Sequence, residues 1–221
     1  MNQEAREMFD SYMRQQKRIA VERFRRLNRY ARKGQIVLAG SSLMEQFPIY
    51  EFLLDGQLPW CVYNRGIGGF TTSELMAALP ECVLDLEPKH IFLNIGTNDL
   101  NGPDYDEAAM LDRYAAILDR IKAALPDTRL YLLAYYPVNP EAADENMCEI
   151  LRWRTNARIR NASQGVRGLA ERYHAAFLDL NDGLTDDQGR LKAEYTIDGM
   201  HFYADGYKQV MDKLLPVLEE L

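Results

Sequence analysis

The chain has 221 residues, of which 47% are hydrophobic and 27% are charged. These fractions are ordinary for a folded soluble protein and exclude a disordered, collagen-like or coiled-coil chain. The net charge of −7 argues against a nucleic-acid partner, because phosphate binding needs a basic surface. Since no Pro-, Gly- or Ser-rich linker interrupts the sequence, we expect one domain over residues 1–221.

The N-terminal segment of residues 1–33 is basic, with ten Lys or Arg against four acidic residues. The other 188 residues carry a net charge of −13. Apolar residues of this segment recur on one side of a helix: Phe9, Met13, Ala20, Phe24 and Leu27. The pattern predicts a basic amphipathic helix packed on the acidic remainder of the chain. Binding to a membrane surface and packing against a second copy, which would give a homo-oligomer, stay open as alternatives.

No stretch of about 18 apolar residues is present, which predicts no stable membrane insertion. The N-terminus also lacks the apolar core of a signal peptide. The three cysteines, Cys61, Cys82 and Cys148, show no CxxC or Cys/His spacing. An odd number of cysteines without metal-binding spacing is typical of free thiols in a reducing compartment. We therefore expect a cytoplasmic protein.

Continuous apolar runs after the N-terminal segment predict five buried strands: Gln35–Gly40, Trp60–Arg65, His90–Gly96, Arg129–Tyr135 and Ala175–Leu180. Helical periodicity lies between and after them, over Tyr105–Leu125, Glu149–Tyr173 and Tyr207–Leu218. Alternating strands and helices predict an α/β fold with a five-stranded parallel sheet and helices on both faces. Ligands of such sheets bind at the carboxyl ends of the strands.

Polar residues follow the first three predicted strands. Gly40-Ser41-Ser42 ends the first, and a run of six residues over 64–69 with the sequence NRGIGG ends the second. Thr71 and Glu74 then have the spacing of a capping box, which predicts a helix start. The third strand is followed by Gly-Thr-Asn-Asp over residues 96–99. We expect these segments to meet at one edge of the sheet.

Asp198 precedes His201 by three residues, near the C-terminus. At this spacing the carboxylate can accept a hydrogen bond from Nδ1 of the imidazole and leave Nε2 free as a base. A serine hydroxyl needs such a base, together with donors that face the oxyanion formed on the attacked carbonyl. Ser42 can supply the hydroxyl, while backbone N–H groups of Ser42 and Gly69 and the amide of Asn98 can supply the donors.

These four segments, in this order over residues 36–207, resemble those of the SGNH, or GDSL-like, hydrolases. The resemblance implies that Ser42 is the nucleophile, that Gly69 and Asn98 contribute to the oxyanion hole, and that Asp198 and His201 complete the catalytic set. It also implies a flavodoxin-like α/β/α sandwich and no metal or organic cofactor. Sequences typical of an α/β-hydrolase, a P-loop or a dinucleotide-binding site are missing.

One residue departs from the family pattern, because Ser41 stands where the name-giving Gly-Asp-Ser has aspartate. The substitution affects a residue that supports the loop, and it makes Ser41 a minor alternative nucleophile. Tyr135 and Tyr136, at the end of the fourth predicted strand, are candidates to line the substrate pocket or to belong to the core.

The activity predicted from these residues is that of a serine esterase acting on small acyl esters through an acyl-enzyme. The partner it requires is a small-molecule ester. A lysophospholipase or thioesterase activity is an alternative, and so is a non-catalytic binding protein on the same scaffold.

Overall fold

The computed structural model describes residues 3–221, and its centre is a sheet of five strands. The strands are β1 (Ile36–Gly40), β2 (Val62–Gly66), β3 (His90–Asn94), β4 (Arg129–Leu133) and β5 (Ala176–Leu178). They lie side by side in the order β2-β1-β3-β4-β5, and every neighbouring pair is parallel. The chain reverses its direction of sheet growth between β1 and β3, and this is where doubly wound sheets bind ligands.

Helices connect and cover the strands. They are α1 (Gln3–Leu27), α2 (Ser42–Glu45), α3 (Ile49–Asp55), α4 (Thr72–Ala77), α5 (Leu79–Cys82), α6 (Glu107–Ala124), α7 (Glu145–Leu151), α8 (Asn156–Arg172) and α9 (Ala204–Glu219). Within residues 3–221, no helix combines the length and the apolar content that a bilayer crossing needs. The predicted capping box is confirmed at the start of α4, where the Thr71 side chain accepts from the Glu74 N–H and the Glu74 carboxylate accepts from the Thr71 N–H.

The two faces of the sheet have separate cores, because successive strand residues point to opposite sides. On one face, Val37 and Ala39 pack with residues from α4, α5, α6 and α8. On the other face, Ile36 and Leu38 pack with residues from α2, α3 and α9. The expected three-layer α/β/α sandwich with a five-stranded parallel sheet is therefore confirmed.

Helix α1 lies along α4 and α5 through its C-terminal half. Phe24 packs against the core of that face, and Lys17 forms an ion pair with Glu74 (Nζ–Oε1 2.8 Å). Two residues of the predicted packing face are instead solvent-exposed, Phe9 by 54% and Leu27 by 47%. Phe9 is exposed because the N-terminal half of α1 extends beyond the surface that the helix covers, whereas Leu27 lies in the packed half but faces solvent. Residues 1 and 2 of the predicted N-terminal segment lie outside the described residues.

The helix predicted over Glu149–Tyr173 is two helices. Helix α7 ends at Leu151 and α8 begins at Asn156. Thr155 explains the restart, because its side chain accepts a hydrogen bond from the Arg158 N–H (3.2 Å) and caps α8. The four residues 152–155 therefore form a turn, and this turn carries the buried Arg154.

Candidate active site

Ser42 is the first residue of α2, directly beyond the carboxyl end of β1. Ser41 is extended (φ −102°, ψ −150°) and its carbonyl accepts from the N–H groups of Met44 (3.1 Å) and Glu45 (2.9 Å). The Asn64 amide, from β2, donates to the Met44 carbonyl (2.5 Å) and so holds α2 against the sheet. A sharp strand-to-helix turn therefore fixes the Ser42 hydroxyl at the sheet edge.

His201 joins Ser42 and Asp198 in a continuous hydrogen-bonded chain. Its Nε2 lies 2.9 Å from the Ser42 Oγ, and its Nδ1 lies 2.6 Å from the Asp198 Oδ2. Because a carboxylate only accepts, Nδ1 carries the proton and Nε2 of the neutral ring faces the hydroxyl as an acceptor. The structure thus brings together three of the sequence-predicted site residues, which are separated by up to 159 positions.

The turn that carries Asp198 and His201 is held by its own backbone. Oδ1 of Asp198 accepts from the N–H groups of Met200 (3.0 Å) and His201 (2.8 Å). Gly199 has a φ of +87°, a region that residues with a Cβ rarely adopt. A Cβ there would also lie only 2.5 Å from the Asn139 carbonyl oxygen. The glycine lets the turn fold tightly enough for one carboxylate to reach both the backbone and the ring.

The environment of Asp198 favours its ionised form. Partial burial raises the pKa of this carboxyl, but the hydrogen bonds from the His201 ring and backbone outweigh burial. The N–H of Met200 acts in the same direction, so the pKa lies below the ordinary value of 3.8. Asp198 is therefore a carboxylate at neutral pH and can stabilise a positive charge on the imidazole.

The residues expected to form the oxyanion hole surround the same edge. A Cβ on Gly68 would lie 3.9 Å from the Ser42 Cβ, so the glycine segment runs directly beside the serine. Gly69 adopts a φ of +71°, and the Asn98 Nδ2 donates to the carbonyl of the next residue, Phe70 (2.9 Å). Within residues 3–221, no protein acceptor takes the N–H of Ser42 or of Gly69. Both groups are thus available to an incoming oxygen.

Two neighbouring ion pairs brace the glycine segment and the Asn98 turn. Lys17 of α1 donates to the Gly69 carbonyl (2.8 Å) as well as to Glu74. Asp99 accepts from the Thr72 N–H (2.9 Å) and pairs with Arg113 (3.2 Å), so it joins the Asn98 turn to the start of α4. Helix α1 therefore reaches the site, a contact that the sequence pattern did not predict.

A buried arginine also contacts the site. Arg154 Nη2 donates to the Asn98 Oδ1 (2.7 Å), and the arginine is only 3% exposed. Sequence reasoning missed it because Arg154 falls within a predicted helix, where an arginine is usually solvated. The one sequence feature that could have indicated this turn is Thr155, a typical helix-capping residue next to Arg154.

Of the two placements that the sequence left open for Tyr135 and Tyr136, the structure shows the core, so the candidate role in lining the substrate pocket is wrong. Tyr135 is 1% exposed and its hydroxyl donates to the Ile95 carbonyl (2.7 Å). Tyr136 is 4% exposed and packs edge-on against Phe202, with ring centroids 5.2 Å apart. The β4 end is covered by α8 and the C-terminal turns, so neither ring reaches the open edge of the sheet. Burial raises the pKa of both phenols well above the ordinary value of 10.0.

Comparison with known proteins gives a family and a close structural relative. The model of the GDSL-like lipase/acylhydrolase family matches residues 38–209. A solved structure from Streptococcus pneumonia, described provisionally as a platelet activating factor, superposes with a TM-score of 0.88 at 31% sequence identity. The superposition covers 99% of this chain and 100% of that chain.

Two curated relatives are more distant. An N-acylneuraminate cytidylyltransferase from Escherichia coli is 25% identical over 97% of this chain, but the chain spans only 46% of that protein's length. An isoamyl acetate-hydrolyzing esterase from Saccharomyces cerevisiae is 26% identical over 72% of this chain and 68% of its own. The family match covers most of the chain and agrees with the fold. The chain therefore belongs to the GDSL-like lipase/acylhydrolase family and is a carboxylic ester hydrolase.

Proposed function

We propose that this protein is a serine esterase that cleaves small acyl esters, acetyl esters above all, through an acyl-enzyme on Ser42. The observation that carries the proposal is the continuous hydrogen-bonded chain from Asp198 through His201 to Ser42. That chain supplies a nucleophile, a base in the required tautomer and a carboxylate that orients the base.

The first half of the reaction forms the acyl-enzyme. Nε2 of His201 takes the hydroxyl proton as the Ser42 Oγ attacks the ester carbonyl carbon. The N–H groups of Ser42 and Gly69 and the Asn98 amide donate to the tetrahedral oxyanion. The intermediate collapses when the bond from carbon to the alkoxy oxygen breaks, and the imidazolium gives its proton to the departing alcohol.

The second half releases the acid. His201 takes a proton from a water molecule as that water attacks the acyl carbon, and the same three donors hold the second oxyanion. The imidazolium then returns the proton to the Ser42 Oγ as the acyl–oxygen bond breaks. The carboxylate of Asp198 stays ionised throughout and stabilises the imidazolium in both halves.

The size of the acyl group is supported by the yeast relative, which is an esterase named for an acetate ester. This relative favours an acetyl or other short acyl group.

A chain-length series tests this proposal. We expect kcat/KM for p-nitrophenyl esters to be highest for acetate, lower for butyrate and lowest for octanoate. A preference for octanoate would support a lysophospholipase-type acylhydrolase instead. No turnover of any ester, together with no labelling of the protein by a fluorophosphonate, would indicate a non-catalytic binding protein.

The Asn98→Ala variant tests the assignment of the oxyanion hole. Loss of one such donor is expected to lower kcat by roughly 10²- to 10³-fold, because the bond is strongest when charge develops on the carbonyl oxygen. KM should change little. The melting temperature should fall by a few degrees, because the buried Arg154 Nη2 loses the Asn98 Oδ1 as its acceptor, so kcat is compared per folded molecule. Steady-state kinetics with p-nitrophenyl acetate measure both constants. An unchanged kcat would remove Asn98 from the oxyanion hole.

A further inference from the structure

Arg154 is a buried cation that has no carboxylate partner at bonding distance. It is 3% exposed, and among residues 3–221 no carboxylate oxygen lies within 4.0 Å of its guanidinium. Burial lowers the pKa of Arg154 to about 10, although the charges of Asp198 and Asp99 act against that shift. The side chain is therefore protonated at neutral pH. Burying a charge without a close counterion is costly, so such residues cluster at functional sites.

The guanidinium uses its three nitrogens to join three parts of the site. Nε donates to the Asn101 Oδ1 (3.0 Å), and Nη2 donates to the Asn98 Oδ1 (2.7 Å). Nη1 contacts the sulfur of Met200, in the turn between Asp198 and His201. The arginine thus connects the Asn98 turn with the turn that carries the catalytic base.

These contacts fix which way the Asn98 amide faces. A guanidinium has donors only, so the atom of Asn98 that it contacts must be the amide oxygen. The nitrogen of the amide therefore faces the glycine segment, where one N–H donates to the Phe70 carbonyl (2.9 Å). The second N–H of this amide is left for the oxyanion, since within the described part of the chain it has no other acceptor.

We propose that Arg154 is a positioning residue that holds the Asn98 amide as an oxyanion donor and polarises it. A charge-assisted bond to Oδ1 draws electron density from the amide nitrogen and makes its N–H groups stronger donors. The interaction becomes more favourable as negative charge develops on the substrate, so it acts on the transition state more than on substrate binding. This inference rests on the proposed oxyanion role of Asn98.

A double-mutant cycle tests the proposal. We expect Arg154→Met to lower kcat by about 10- to 100-fold with less than about a threefold change in KM, as a lost charge-assisted bond predicts. In the Asn98→Ala background the same substitution should lower kcat by less than about threefold, because the group through which it acts is gone. Equal losses in both backgrounds, or a loss confined to KM, would overturn the proposal.

The chain offers a matched control. Arg65 is also buried, at 4% exposure, and also donates to an asparagine oxygen, that of Asn28 (2.9 Å). We expect Arg65→Met to lower the melting temperature without changing kcat per folded molecule. If Arg154→Met does not fold, Arg154→Lys takes its place in the cycle. One ammonium cannot serve Asn98 and Asn101 together, so kcat should fall about 3- to 10-fold, and again only when Asn98 is present.

A measurement made without substrate tests the contact between Arg154 and Asn98 independently of the proposed esterase activity. The side-chain amide signals of Asn98, identified in nitrogen–proton NMR spectra by their loss in Asn98→Ala, should shift in Arg154→Met and stay in place in Arg65→Met. If wild type cleaves no ester but these signals shift, the esterase proposal fails and the contact stands. If wild type is active and the Asn98 signals do not shift in Arg154→Met, the positioning role of Arg154 is wrong and the esterase proposal stands.

Discussion

Replacing Ser42 with alanine is expected to abolish ester turnover while the protein stays folded. The Ser42 Oγ lies 2.9 Å from the His201 Nε2, and the variant has no atom that could form the acyl-enzyme. We expect kcat for p-nitrophenyl acetate to fall by roughly 10⁵-fold or more, to the level that the oxyanion donors alone support. Ser42 is half-buried and begins a four-residue helix, so the melting temperature should change little.

Ser41→Ala is the matched control for this prediction. Ser41 is the adjacent serine and a minor candidate for the nucleophile, but it is 2% exposed and its side chain does not cap α2. The variant should retain most of the wild-type kcat, since the contacts that shape the turn use the Ser41 backbone carbonyl. If Ser41→Ala is inactive and Ser42→Ala is active, the nucleophile is Ser41 and its assignment to Ser42 is wrong.

Asp198→Asn is expected to have the second largest effect. Oδ1 of Asp198 accepts from two backbone N–H groups, so in the variant the amide oxygen should take that place and the amide NH₂ should face Nδ1 of His201. A donor there forces the ring proton onto Nε2, which can then no longer accept from Ser42. We expect kcat to fall by roughly 10⁴-fold with little change in KM.

Asp186→Asn is the control for replacing an aspartate that accepts hydrogen bonds from the backbone of its own turn. Asp186 also accepts from two nearby backbone N–H groups, those of Gln188 and Arg190 (both 2.9 Å), but it lies outside the site. This variant should leave kcat unchanged. Equal activity of Asp198→Asn and Asp186→Asn would show that the carboxylate does not set the tautomer of His201.

Asp198 also makes stability depend on pH. Its pKa is lower in the folded protein than the ordinary value of 3.8, so the folded state favours the ionised form. The stabilisation is complete above that ordinary value and is lost as the pH falls through the folded pKa. The free energy of unfolding, measured by urea titration between pH 6 and pH 3, should therefore fall less steeply in Asp198→Asn than in wild type. Identical slopes would contradict the shift.

The sheet and the edge where the site lies could be predicted from the sequence for identifiable reasons. The five apolar runs are continuous because both faces of a parallel sheet are buried, and each run matches a strand. Ser42, Gly69 and Asn98 follow the first three strands, and the strand-end rule for parallel sheets brings such residues together. The same rule says nothing of Asp198 and His201, which follow no strand directly. Their place in the site was predicted from the family resemblance, and in the structure the turn at Gly199 holds them there.

The remaining features depend on tertiary contacts that periodicity does not report. Tyr135 and Tyr136 follow a strand as the site residues do, but packing from α8 and Phe202 covers them. The inward path of Arg154 depends on one helix cap, and the contact of Lys17 with Gly69 depends on where a long helix packs against α4 and α5. Each is set by contacts between segments at least 28 positions apart or by a local break in a regular pattern.

The central claim, an acyl-enzyme on Ser42, is tested most directly by trapping that intermediate. Wild-type protein is mixed with p-nitrophenyl acetate and quenched in acid within one turnover, and its peptides are analysed by mass spectrometry with fragmentation. The account predicts one added acetyl group, on Ser42 rather than on the adjacent Ser41, and none in Ser42→Ala. Hydrolysis of the ester without any acetylated serine, or with the acetyl group on Ser41, would contradict it.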